Sequence, residues 1–419
     1  MHEFVYRRGR LCAESIPLDD LARRFGTPLY VYSHATLTGH FERLDRAFAA
    51  VPHLICYSVK SSSNLAVLRT LAKAGAGFDI VSGGELHRAL SAGADRRRIV
   101  FAGVGKTEDE IAAALRADIL FLTVESLAEL EAVGKTAARL RKIARIAFRV
   151  TPDVDPHTHR YITTGKAENK FGLDLTRVRG AYRKAMRMRH VRPVAVQMHI
   201  GSQIIETGPY VEALKKVLPL ARELVRAGVP LEYLDIGGGL GIIYRDENPA
   251  TADRFAAAVL PELKGLGLKL VLEPGRFIAG NSGVLLARVV YLKKGAARDF
   301  VIVDAAMNDL IRPSLYGAYH EILPVRKGRG RTITADIVGP VCESGDFLGK
   351  DRTMREPRPG DILAVMGAGA YGFAMSSNYN SRRRAAEVLV RGKQAWLVRE
   401  RESYEDLVRG ERIPAFLQK

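Results

Sequence analysis

Eight short apolar runs recur through the first two thirds of the chain, and the residues with chemistry to offer stand at or just after their C-terminal ends. The runs are LICYSVK, GFDIVS, IVFAGVG, ILFLTVES, IARIAFRV, VAVQMHIGS, YLDIGGGLG and KLVLEPGRF. Each has the length and composition of a buried strand. Between most of them lie stretches with helical periodicity, ELHRALSAG, EDEIAAALRA, SLAELEAVGKTAARLR and VEALKKVLPLARELVRAG, several of them closed by Gly. Strands alternating with helices at this spacing build parallel βαβ units. Eight such units close into a (β/α)8 TIM-like barrel, a fold that places its active site at the C-terminal ends of its strands.

A barrel takes roughly 250 residues, and this chain has 419. After Gly280 the texture changes to short β-rich runs separated by turn residues: GVLLARVVYLKKG, DFVIVDAA, RTITADIVGP, DILAVMGAGAYG and AEVLVRGKQAWLVRE. These predict an α/β chain in two parts, a barrel over 31–280 and a C-terminal all-β domain over 281–419. The first 30 residues, including FVYRRGRLCAESIP, are expected to add to the β domain. The run TLTGHFERLDRAFAAV predicts a helix leading into the first barrel strand. One connection, TPDVDPHTHRYITTGKAENKFG, is too long for a simple βα turn and predicts a lid or binding loop.

Composition narrows the function classes. The formal charge is +18, which invites a nucleic-acid reading. The clusters Arg96–Arg98, Lys327–Arg331 and Arg382–Arg384 are short and dispersed, without interleaved aromatic residues. They fit a solvated basic surface that draws in anionic substrates better than a nucleic-acid partner. Cys12, Cys56 and Cys342 are too few and too scattered for a disulfide framework or a zinc site. A metal set of His157, His159 and His199 lacks completing carboxylates or thiolates, so no metal is expected. With neither a leader peptide nor an apolar stretch long enough to span a bilayer, a cytoplasmic protein without a membrane partner is expected.

The strand ends carry the chemistry. Lys60 directly follows an apolar strand, where partial desolvation favours a neutral amine able to attack a carbonyl cofactor; an ordinary surface lysine is the competing reading. Gly237, Gly238 and Gly239 allow close backbone approach to an anion, and the loops after the seventh and eighth strands are where barrels often hold phosphate. Glu273, in VLEPGR, is a carboxylate in apolar surroundings and needs a cationic partner. That partner is either a cofactor ring nitrogen or Arg276 in a structural salt bridge. His199 offers a flat imidazole for stacking on a planar cofactor, and Ser202 a hydroxyl for phosphate.

YSVKSSSN, FDIVSGGEL, HTHRYITTG with ENKFGLD, HIGSQI, DIGGGLGI, EPGRF, CESGDFLG and GAYGFAMSSNYNSR, in this order, closely resemble the fold-type III pyridoxal-phosphate decarboxylases. The resemblance runs from TPLYVYS to EVLV. It implies pyridoxal 5'-phosphate as cofactor, with Lys60 its covalent anchor, His199 against the pyridine face and Glu273 on the ring nitrogen. It further implies that Ser202, Gly237, Gly238, Gly239, Gly275 and the backbone through Arg276, with the Tyr371 hydroxyl, cradle the phosphate. Asp79 would support Lys60 electrostatically. Arg276, Arg312 and Tyr316, with Tyr371 nearby, would bind a distal substrate carboxylate, and Glu343 the distal amino group. Cys342 would be the acid that protonates the α-carbon. In the family Cys342 and Glu343 come from a neighbouring subunit, which implies a homodimer with shared sites. The chain departs from the pattern at Arg383 and Ala385, where prolines are usual.

The implied reaction is loss of carbon dioxide from an amino acid. A guanidinium suits a carboxylate through bidentate hydrogen bonds and repels a lone cationic amine. Arg276 and Arg312 with Glu343 therefore match a zwitterionic distal centre, as in meso-2,6-diaminopimelate, whose decarboxylation gives L-lysine in the last step of lysine biosynthesis. Ornithine- or lysine-type decarboxylases would need paired acids instead. A racemase would need a second base, and a non-catalytic carrier would be expected to lose Cys342, Glu343 or Arg312.

Overall fold

The computed structural model describes residues 2–155, 170–328 and 330–418. The chain forms two compact units, Thr36–Asn281 and a second made of Met1–Ala35 with Ser282–Lys419.

The first unit is a closed parallel barrel. Its strands are β1 His53–Ser58, β2 Gly77–Ile80, β3 Ile99–Phe101, β4 Phe121–Val124, β5 Ala144–Thr151, β6 Val191–Met198, β7 Tyr233–Asp235 and β8 Lys269–Leu272. Each pairs in parallel with the next, and β8 returns to β1 through Leu270 opposite His53 and Val271 opposite Leu54. Such strands are buried on both faces, which is why they read as continuous apolar runs. Leu54, Cys56, Val100, Phe121, Ala147, Ala195 and Val271 meet in one cluster.

The turns that leave these strands end on polar caps. Asn64, Ser82, Thr107 and Ser126 each accept a backbone N–H in the first turn of the following helix. Thr107 and Glu110 form a full capping box ahead of the helix Glu108–Ala117. Strand ends and helix starts thus share one mouth of the barrel. The long connection after β5 falls largely in residues 156–169, so the expected lid, with His157 and His159, lies outside the described residues.

The second unit holds a sheet with the order Phe347–Arg355, Thr332–Val338, Asp299–Val303, Gly283–Lys293, Leu29–Ser33, Ala386–Arg391 and Gln394–Arg399. Leu29–Ser33 is buried along its whole length and takes a central place, antiparallel to Gly283–Lys293 and parallel to Ala386–Arg391. The first residues belong to this same unit, but those before Leu29 lie outside its large sheet. Phe4–Arg7 and Arg10–Ala13 form their own hairpin, continued by Ile16–Pro17. Arg8 and Gly9 both take left-handed φ values of 49° and 76°, the geometry of a tight two-residue hairpin turn. The hairpin is tied to the rest of the unit by the Arg10–Arg326 bridge, by the Leu11 N–H donating to Val325 O at 2.7 Å and the Lys327 N–H to Gly9 O at 2.8 Å, and by Phe4 and Leu11 packing in one core with Leu29, Val31 and Val388. No helix among the described residues is long and apolar enough to cross a membrane.

Candidate active site

The barrel mouth collects the sequence-predicted residues of the first unit. Lys60 sits in the single turn Val59–Ser61 directly after β1. Its Nζ lies 2.7 Å from Asp79 Oδ2 at the end of β2, and the Ser58 hydroxyl donates to the same oxygen at 2.7 Å. Asp79 is fully buried, whereas the Lys60 side chain keeps 38% of its exposure. The lysine is therefore set apart by a buried counter-ion and not by the desolvation expected from its place after an apolar strand.

Glu273 follows β8 and is 5% exposed. It does not turn to Arg276. Its Oε2 accepts from Gln197 Nε2 at 3.2 Å, and its carboxyl is buried beside that of Asp235 at the end of β7, near enough for each to act on the other's titration. Two carboxyls buried side by side repel as anions, which favours a proton kept on one of them. Burial first, and then neighbouring negative charge, raises the pKa of both groups. Asp235 Oδ1 accepts the Gly237 N–H at 2.9 Å.

His199 ends β6, and its Nδ1 accepts from the Gly238 N–H at 3.2 Å. Burial lowers its pKa well below the usual histidine value, and the charges of Arg149 and Lys60 add to this. The ring is therefore neutral with its proton on Nε2.

The glycine turn is there because nothing larger fits. A Cβ on Gly238 would stand 2.0 Å from the Glu273 carbonyl oxygen, and one on Gly239 2.4 Å from the Gly201 oxygen. One on Gly237 would meet the Met198 oxygen at 2.6 Å. Gly275 is similarly confined between Ser58 and Ser61. Beside this turn Arg276, 6% exposed, donates to Ser202 Oγ at 3.0 Å and to the Tyr244 hydroxyl at 2.7 Å.

Three contributors escaped sequence reasoning. Arg149 lies inside β5, clamped by Glu125 at 3.4 Å and laid over the Phe171 ring at 4.5 Å. Its Nη2 is buried without a partner among the described residues. Gln197 and Asp235 are the others. Their only sequence signal was a polar residue within or closing an apolar strand run.

In the second unit Arg312 opens the short helix Arg312–Tyr316 and is 5% exposed, while Tyr316 is half-buried. Tyr371 takes a left-handed φ of 58°, an uncommon conformation for a tyrosine that requires support from its surroundings. Cys342 is exposed, so it is not the buried small hydrophobe a lone cysteine usually becomes. Its N–H donates to Asn380 Oδ1 at 3.0 Å, and Glu343 beside it raises the pKa of the Tyr379 hydroxyl. The loop that presents them is held by buried Asp346, which accepts from Met307 N and Val341 N, each at 2.7 Å. At the departure from the usual prolines, Ala385 is buried and Arg383 lies 4.6 Å over the Tyr404 ring. No group of three or more metal-ligating side chains is found among the described residues.

Residues 34–280 match the sequence profile described as pyridoxal-dependent decarboxylase, pyridoxal binding domain. The chain belongs to that family. It is 49% identical to diaminopimelate decarboxylase of Pseudomonas aeruginosa over 99% of both chains, and 49% identical to that of Aquifex aeolicus over 96% of both. Among solved structures it resembles Helicobacter pylori diaminopimelate decarboxylase complexed with L-lysine, at 42% identity and a TM-score of 0.91, covering 94% of this chain and 98% of that one. The enzyme from M. jannaschii superposes with a TM-score of 0.95 at 37% identity, covering 99% of each chain. These relatives share the whole architecture, barrel and sheet-rich unit alike.

Proposed function

We propose that this chain removes carbon dioxide from the D-configured centre of meso-2,6-diaminopimelate with pyridoxal phosphate as cofactor, leaving L-lysine. The observation that carries the reading is the barrel mouth itself. Lys60 is paired with a buried Asp79 on one side, and the Glu273–Asp235 carboxyl pair stands on the other. The full-length likeness to diaminopimelate decarboxylases, two of them crystallised with L-lysine, supports the choice of substrate.

The residues present fit the cofactor. An amine held in place at a strand end by a buried carboxylate suits an aldehyde. The buried Glu273 Oε1 has no strong donor of its own and suits a protonated ring nitrogen. The close packing of Gly237, Gly238 and Gly239 against neighbouring backbone keeps side chains off this turn, and Ser202 with Arg276 supplies donors for a phosphate. Pyridoxal phosphate, when bound, supplies the electron sink that makes loss of carbon dioxide feasible.

This chain's residues do the rest. Lys60 tethers the cofactor, and Asp79 holds and orients its amine. Glu273 holds a proton at the ring nitrogen, with Asp235 to share it. His199 stays neutral and offers a flat uncharged face. Gly237, Gly238, Gly239, Gly275, Ser202 and Tyr371 take the phosphate. Arg276, Arg312 and Tyr316 grip the distal carboxylate, Glu343 the distal ammonium group. Cys342 delivers a proton to the α-carbon. Its exposure is what a residue serving a second copy of the chain requires, and a homodimer in the cytoplasm is the assembly this reading expects.

The test is carbon dioxide release by purified protein with added pyridoxal phosphate, offered meso-diaminopimelate, L-lysine, L-ornithine or L-arginine. Release from diaminopimelate alone, with L-lysine as product, is expected. Release only from a basic amino acid would overturn the substrate assignment, and full turnover by Lys60→Ala would overturn the mechanism.

A further inference from the structure

His320 has no place in the chemistry above, yet it is fully buried and directly bonded to a residue that does. Its Nδ1 lies 2.8 Å from the Met366 carbonyl oxygen, and its Nε2 lies 2.8 Å from Arg312 Nη1. A carbonyl only accepts, so Nδ1 carries the hydrogen. Arg312 only donates, so Nε2 must present a lone pair. Both contacts agree on one neutral tautomer, which a second positive charge beside the guanidinium would break.

The ring is held as firmly as its tautomer. Glu321 accepts the Met366 N–H at 2.8 Å, and Ile322 begins a ladder opposite Val365. Tyr319, on the other side of His320, is covered by Arg352 at 3.7 Å. His320 is thus fixed by backbone pairing on an element other than the one that carries Arg312. The hydrogen bond to Arg312 Nη1 ties the orientation of the guanidinium to that fixed ring.

We propose that His320 is a positioning residue that aims Arg312 at the distal carboxylate and so sets preference for substrates that carry one. This deepens the functional reading and rests on it. A long arginine side chain has many rotamers, and a bidentate grip needs one of them. The loss of a hydrogen bond to a charged group at such a site corresponds to roughly 10- to 100-fold in affinity.

The experiment compares the parent holoenzyme with His320→Leu, His320→Met and His320→Gln. The readouts are KM and kcat for meso-diaminopimelate and inhibition by L-lysine and by 1,5-diaminopentane, which lacks the carboxylate. Leu and Met remove the acceptor, and Met fills similar space if the Leu variant fails to fold. Either should raise KM and weaken L-lysine inhibition by roughly 10- to 100-fold, with kcat within a few-fold and diaminopentane inhibition unchanged. Gln, with an oxygen able to accept from Arg312, should recover most of the loss. Equal weakening of both inhibitors, or an unchanged KM, would overturn the proposal. A parent enzyme that releases no carbon dioxide from diaminopimelate would instead overturn the functional reading beneath it.

Discussion

Asp309 offers a quantitative check on the electrostatics of the sheet-rich unit. The residue is 2% exposed, accepts the Ala306 N–H at 3.0 Å, and closes the turn that precedes Arg312. Burial pushes its pKa from 3.8 up to about 7. In the unfolded chain the carboxyl ionises near its ordinary value. Between the two pKa values the unfolded state has lost a proton that the folded state keeps, so stability falls as pH rises through that window. Below the window both states are protonated and Asp309 costs nothing through linkage. At about 1.4 kcal/mol per pKa unit the full cost above pH 7 is about 4 kcal/mol, an upper bound because ionised groups draw in water. Asp309→Asn keeps an oxygen for the Ala306 N–H and removes the titration. Whatever constant offset the amide brings, the variant should gain about 2 kcal/mol on the parent between about pH 5.5 and about pH 8, since roughly 1.5 pKa units of the window lie there. Urea unfolding of both proteins at the two pH values measures it. A stability difference that does not move with pH would refute the argument.

Two further outcomes follow from the barrel. Lys106 Nζ, with 1% of its side chain exposed, spends its donors on Gly103 O, Thr123 O and Glu129 Oε1, each at 2.6 Å. Lys106→Met strands a buried carboxylate and should cost about 3–5 kcal/mol in urea unfolding, most of it recovered by adding Glu129→Gln; a cost below about 1 kcal/mol would contradict this. Gly238→Ala drives a Cβ to within 2.0 Å of the Glu273 carbonyl oxygen. It should weaken pyridoxal phosphate binding, followed by absorbance titration, by tenfold or more while far-ultraviolet circular dichroism stays unchanged. Unchanged affinity would mean that the turn is not part of the cradle.

The barrel was legible because each of its strands is a local apolar run with a helix after it. The run EDEIAAALRA and the helix Glu108–Ala117 coincide to the residue. The central strand Leu29–Ser33 was not legible as such, because its partners come from residues 283–293 and 386–391 and no local pattern announces them. The site divides in the same way. Lys60, His199 and Glu273 announce themselves at strand ends. Gln197, Asp235 and Arg149 matter through what stands beside them, and that is settled by neighbouring strands in the ring. His320 is the extreme case, a residue whose part is fixed by Met366, 46 positions away.

A charge account of the barrel mouth shows why the proton on the Glu273–Asp235 pair bears on the cofactor. Lys60 is matched by Asp79, and Arg149 is held by Glu125. That leaves two buried carboxyls, and no cationic side chain among the described residues is hydrogen-bonded to either. With one shared proton the pair still carries a single negative charge, and an uncompensated buried charge is costly. The charge is tolerable if Lys60 and Arg149 act on it from a distance, as the pKa of Glu273 registers. It becomes favourable once a cation arrives at Glu273 Oε1. A protonated pyridine nitrogen is such a cation, and it needs the carboxylate to stay protonated. The uncompensated charge of that acid pair is therefore complementary to a protonated ring nitrogen. On this argument Asp235→Asn, which gives Glu273 a neutral donor in place of a competing acid, should leave cofactor binding closer to the parent than Glu273→Gln does; the reverse order in an absorbance titration would place the ring nitrogen elsewhere.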